Sequence, residues 1–114
     1  MPEAYTYMPD PVSKEVYEDR VVYRFVLRPE HECFSGHFPG LPVLAGVIQL
    51  AWATQIAKEL GFRGHDFTHI PRIKFKTPVL PPLEVEVEVC RKPEGTYRFS
   101  FTSGAGLHST GEFG

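Results

Sequence analysis

Between Ala45 and Leu60 the chain carries apolar side chains on almost every side of a would-be helix, and no other segment shows a convincing helical period. Val47, Ile48, Leu50, Ala51, Trp52, Ala53, Ile56, Ala57 and Leu60 are apolar; Gln49, Thr54, Gln55 and the late Lys58-Glu59 pair are the main polar positions. A helix that is apolar nearly all round is a buried one. This element is therefore expected to be the core, and the rest of the chain has to wrap it. Gly61 stands where a C′ residue would close the helix.

The remainder reads as strand. Arg20 to Leu27 is β-branched and aromatic with an apolar odd face, and Leu83 to Val89 alternates without an error. Tyr97 to Phe101 alternates again after the Pro93-Glu94-Gly95 turn. Ile70 to Val79 is a further strand with prolines near both ends, and Leu107 to Phe113 a last, short one. Residues 1–14 form an irregular arm with a short edge strand. One buried helix against several antiparallel strands is α+β, in a single domain over 1–114. At 114 residues and 42% hydrophobic content such a domain buries enough to fold unaided.

Net charge is −2, so no general basic field points to nucleic acid. No window reaches about 18 apolar residues, so no membrane span is expected. The N-terminus lacks the pattern of a signal peptide. Cys33 and Cys90 are far apart and form no CxxC, so neither a metal site nor a disulfide framework is expected. A reduced, cytoplasmic setting follows as the expectation.

Residues 29–43 make a loop long enough to suggest a function. The stretch Gly36-His37-Phe38-Pro39-Gly40-Leu41-Pro42-Val43-Leu44-Ala45-Gly46-Val47, which begins within it, surrounds one histidine with two prolines (Pro39 and Pro42), which fix φ, and two loop glycines (Gly36 and Gly40), which free it. Gly46-Val47 then opens the helix, whose first N–H groups carry a partial positive charge. A histidine facing such a terminus pairs a proton carrier with an oxyanion-type donor. Spacing alone leaves a kinked loop with an incidental His equally open. His65, His69 and His108 read as surface or structural, His31 and Cys33 as unpaired, and Glu84, Glu86 and Glu88 as a solvated strand face.

The stretch from His37 to Val47 resembles the signature loop of the 3-hydroxyacyl-ACP dehydratases of the FabA/FabZ type. Ile73-Lys74-Phe75-Lys76-Thr77-Pro78-Val79-Leu80-Pro81 is similar to the strand and Pro-ended turn that follow the central helix there. The chain also resembles the small ApeI-like proteins, in which a Gln and a Trp follow Gly-Val as Gln49 and Trp52 do. The resemblance covers roughly residues 20–110. It implies a hotdog fold, a long helix wrapped by a curved antiparallel sheet and paired into a homodimer. It implies dehydration of 3-hydroxyacyl thioesters to trans-2-enoyl thioesters, in fatty-acid-like or polyene biosynthesis. His37 would be the base and acid, Gly46 the oxyanion donor and Gln55 an auxiliary polar group. Phe38, Pro39, Gly40, Val43, Val47, Ala51 and Trp52 would line the substrate. No cofactor is implied beyond the phosphopantetheine that carries the substrate on ACP or CoA.

Two features qualify the resemblance. The family's helix carboxylate, fourteen residues after the loop histidine, falls here on Ala51. Losing one member of an acid–base pair typically costs about 10²–10⁴ in rate. That keeps two alternatives open, a non-catalytic acyl-thioester-binding subunit and an acyl thioesterase. Arg72, Lys74 and Lys76 alternate along one strand, which is expected to present them together to an acidic acyl carrier protein.

Overall fold

The computed structural model describes residues 8–31, 44–63 and 71–114. His37, Phe38, Pro39, Gly40, Val43, Cys33, His65 and His69 lie outside the described residues, so the expectations placed on them have no structural counterpart here. The elements are β1 (Ser13–Val16), β2 (Arg20–Leu27), α1 (Gly46–Ala57), a turn of 3-10 helix (Lys58–Leu60), β3 (Arg72–Phe75), β4 (Leu83–Arg91), β5 (Tyr97–Ser103) and β6 (Gly106–Phe113). All pairings are antiparallel, in a six-stranded sheet of order β1-β2-β4-β5-β6-β3. The one α-helix among the described residues packs on a single face of that sheet, which is the expected α+β hotdog architecture.

Alternation in β4 and β5, and in β2 apart from the buried Val22, determines which face the helix meets. Val21, Tyr23, Phe25 and Leu27 of β2 and Val85, Val87 and Val89 of β4 are buried, as are Tyr97, Phe99 and Phe101 of β5. From α1 they receive Ile48, Trp52, Ala53, Ile56 and Ala57. Trp52 sits with its ring 5.2 Å from Phe25 and 6.2 Å from Phe101. Deleting an indole so placed costs about 3–5 kcal/mol. Phe62 closes the far end against Tyr97 and Phe113, at 5.3 and 5.0 Å. Gly61, with φ 96°, ends the helical segment as its sequence position suggests.

The opposite face of the sheet is polar and cross-linked by charge. Glu86 pairs with Arg24 at 3.1 Å and Glu88 with Arg20 at 3.3 Å, joining β4 to β2. Glu86 and Glu88 thus belong to a surface face of ion pairs, which solvent screens and which add little to stability. Cys90 lies beside them, and burial with the neighbouring Glu88 carboxylate pushes its thiol up, away from the reactive thiolate.

Three boundaries differ from the sequence reading. The N-terminal segment supplies a true edge strand, but at Ser13–Val16, beyond most of the arm. The strand read over Ile70–Val79 is only Arg72–Phe75, because Pro78 and the turn around it leave the ladder. The tail is no marginal strand: β6 has eight residues and is paired on both sides, with β5 and with β3. A register shift between Phe101 and Thr102 breaks the alternation that would have revealed it.

Candidate functional site

The helix begins without a side-chain cap. Ala45 has extended backbone (φ −63°, ψ 147°), and no acidic residue occupies the first turn. The N–H groups of Ile48 and Gln49 both reach the Ala45 carbonyl at 3.0 Å. Among the described residues no acceptor meets the N–H groups of Gly46 and Val47. Among the described residues these two donors are unmatched at a helix end that carries a partial positive charge.

The surroundings of that end are apolar and open. Phe75, at the end of β3, lays its ring over Gly46. Val47 is 71% exposed, Phe75 56% and Leu80 43%. Val47, Ala51 and Thr54 follow at i, i+4 and i+7 along one helix face, and Leu50 flanks them, half-buried. The sequence reading made this helix buried all round. Within one protomer half of it is not, because the sheet covers only the Trp52 side. Val47, Ala51 and Leu50 thus leave a largely apolar stripe exposed on a helix that is otherwise buried.

The segment before the helix is held from two sides. Leu44 N–H donates to Val79 O at 3.0 Å, joining it to the turn after β3. Gln49 Nε2 donates to Leu44 O at 3.0 Å, and Ser109 Oγ donates to Gln49 Oε1 at 2.7 Å. His108, also buried, places Nδ1 3.0 Å from Thr77 O and 3.2 Å from Pro78 O, with Nε2 2.6 Å from Ser103 Oγ. It is a structural histidine that anchors the same turn.

The expected site residues are therefore distributed as follows. Gly46 is the first residue of α1, and Val47 and Ala51 lie beside it on the open face. Trp52, expected to touch substrate, is wholly buried in the core and has no surface to offer. Gln55 is half-buried, nine residues past Gly46 and so about 13 Å along the axis. Its Oε1 accepts from Lys58 Nζ at 3.3 Å. Within one protomer it does not reach the helix start. Arg72 and Lys74 do share the outer face of β3, opposite Glu112 and Thr110 of β6. Lys76 falls past the strand's end, its N–H bonded to His108 O, so the alternation does not include it. All three are exposed. Among the described residues no group of three or more His, Cys, Asp or Glu could hold a metal ion.

Sequence reasoning missed Gln49, Ser109 and Phe75 as parts of this region. The available signal was Gln49 itself, a polar residue in the stripe of Trp52, Ala53 and Ile56, where an unpartnered amide would be costly.

Comparison with known proteins agrees with this fold. The family model described as ApeI-like, ApeI dehydratase, matches residues 13–112. The chain belongs to the ApeI-like dehydratase family. It is 38% identical over 78 residues to the 3-hydroxyacyl-(acyl-carrier-protein) dehydratase FabZ of Haemophilus influenzae, covering 60% of this chain and 53% of that protein. The FabZ of Mannheimia succiniciproducens is 40% identical over 78 residues, covering 60% and 52%. The chain thus spans about half the length of the curated relatives it matches. Among solved structures, the dehydratase heterocomplex ApeI:P of Xenorhabdus doucetiae superposes with TM-score 0.81 at 25% identity, over 93% of this chain and 96% of the other. Mouse thioesterase superfamily member 2 superposes with TM-score 0.68 at 11% identity, over 89% and 77%, a likeness of fold alone. No helix among the described residues is long and apolar enough to cross a membrane.

Proposed function

We propose that this chain dehydrates 3-hydroxyacyl thioesters, borne on the phosphopantetheine of an acyl carrier protein, to trans-2-enoyl thioesters. The observation that carries the reading is the pair of N–H groups at Gly46 and Val47, which meet no acceptor among the described residues and lie beside an apolar surface, in a chain of a dehydratase family. The thioester oxygen would accept from Gly46 N–H. His37 would take the α-proton, and the enolate charge would gather on the held oxygen, where a helix terminus stabilises it. The C3–O bond then breaks as His37 returns the proton to the departing hydroxyl, so water leaves and the C2–C3 double bond remains. Phe38, Pro39, Gly40, Val43 and Val47 would line the acyl chain and pantetheine.

In this reading the open helix face and the β3 edge meet a second copy, as a homodimer. Arg72, Lys74 and Lys76 would receive the acidic carrier protein. No cofactor takes part.

Ala51 favours a second reading. A methyl group at the family's carboxylate position cannot protonate or orient anything. The solved ApeI:P assembly is a dehydratase heterocomplex, which supports a pairing with a different chain that supplies the carboxylate. Incubation of the purified protein with 3-hydroxyacyl-ACP, followed by mass detection, separates the readings. Loss of one water from the acyl group supports the homodimeric enzyme. An unchanged acyl group supports the non-catalytic or partner-dependent role, and release of free acid supports a thioesterase.

A further inference from the structure

Two polar side chains are buried where the helix begins, and both are bonded. Gln49 is 4% and Ser109 0% exposed, and they form one relay, Ser109 Oγ to Gln49 Oε1 and Gln49 Nε2 to Leu44 O. By spacing, Gln49 belongs with Trp52, Ala53 and Ile56, where an apolar side chain would pack and need no partner. A satisfied buried hydrogen bond adds little net stability, whereas losing one partner costs the full desolvation of the other. The direction of the relay is what distinguishes it. It runs from β6 to the carbonyl one residue before the N-cap Ala45.

The other side of the same segment is fixed as well. Leu44 N–H is bonded to Val79 O, in the turn whose Thr77 and Pro78 carbonyls face His108. Adjacent residues of β6 thus hold the two walls, His108 the turn and Ser109 the helix entry. Ser109 is also paired in register with Phe75, whose ring covers Gly46.

We infer that Gln49 and Ser109 are positioning residues: acting through Leu44, they fix the direction in which the Gly46 and Val47 N–H groups point. The inference rests on the reading of those amides as donors to the thioester oxygen. Neither side chain touches substrate. They keep a donor pair in place that has no side-chain cap of its own, and misplacement of a donor by about 1 Å can cost 10²-fold in rate.

The test uses Gln49→Leu and Ser109→Ala, read by amide hydrogen exchange and by kinetics on a 3-hydroxyacyl pantetheine thioester. Exchange at Leu44 should accelerate about tenfold or more, and clearly more than at Val87, in the middle of β4. In the active enzyme kcat should fall about 10–100-fold with KM nearly unchanged. Gln49→Glu adds a pH readout, since its carboxyl donates to Leu44 O only when protonated. Activity of the folded variant should be recovered at low pH and lost as that group ionises. Equal acceleration at Leu44 and Val87 would show a purely structural role. Unchanged exchange at Leu44, or unchanged kcat in an active enzyme, would likewise overturn the inference. A wild-type protein without turnover would sink the dehydratase reading alone, and exchange at Leu44 would still decide the positioning.

Discussion

The ring of Phe75 lies so closely over the α-carbon of Gly46 that a methyl group added there would overlap it. The contact joins the end of β3 to the first residue of α1, so the open end of the helix is shaped by a strand of the sheet's edge. Glycine is what allows this approach. The ring is half-exposed and can swing outward, so Gly46→Ala should change stability by no more than about 1 kcal/mol, with better helix propensity offsetting the displaced ring. Turnover should nevertheless fall at least about tenfold, because the ring and the new methyl group both intrude on the donor site. Thermal melting and kcat measured on the same preparation check both halves.

The open face of α1 predicts association. Val47 is the most exposed large apolar side chain among the described residues, so Val47→Asp has little to lose within the protomer. Placed in a buried dimer contact, the charge would cost several kcal/mol. Sedimentation should show the wild type as at least a dimer at micromolar concentration and the variant as a folded monomer, with native circular dichroism and a melting temperature that no longer rises with protein concentration. A wild-type monomer would remove the two-subunit site.

Ala51 lies on that same face, half-buried and not in the core, so a carboxylate there has room to remain solvated. Ala51→Glu should raise dehydratase kcat, by about tenfold or more if the general acid is what the homodimer lacks. A folded dimer with no gain would mean that the pocket serves another purpose, or that a different chain supplies the acid.

Among the described residues no carboxylate stands within ion-pair distance of Lys74 or Lys76. Reversing both to Glu should slow association with acyl carrier protein, most strongly at low salt where screening is weak. Activity on a small pantetheine thioester should stay nearly constant. Equal loss on both substrates would assign these lysines to the fold or the pocket.

The strands β4 and β5 were legible because each alternates without a break, from Leu83 to Val89 and from Tyr97 to Phe101, β2 because its run is β-branched and aromatic, and the central helix because its apolar run is too long for a strand and ends at Gly61. β6 was not, because His108, Ser109 and Thr110 are polar, Gly111 has no side chain, and the bulge opposite Thr102 interrupts the alternation. Its burial comes from neighbours on both sides, which no local pattern records. The site shows the same division. Gly46 stands at the helix start as read, whereas the buried Gln49 beside it has no place among the expected site residues. Its partner Ser109 is 60 residues downstream, and only the folded sheet brings the two together. Trp52 was drawn into the pocket by its place in a motif, whereas its helical spacing with Ala53 and Ile56 already marked the core.

The most direct test of the account compares wild type with His37→Ala on 3-hydroxyacyl-ACP, following formation of the enoyl product by mass. In the sequence His37 belongs to the Pro- and Gly-rich segment that precedes α1 and not to the apolar pattern of the core, so the variant should keep the wild-type circular dichroism and melting temperature. The account predicts steady dehydration by the wild type and none above background by the folded variant. Dehydration at an equal rate by both proteins would contradict it.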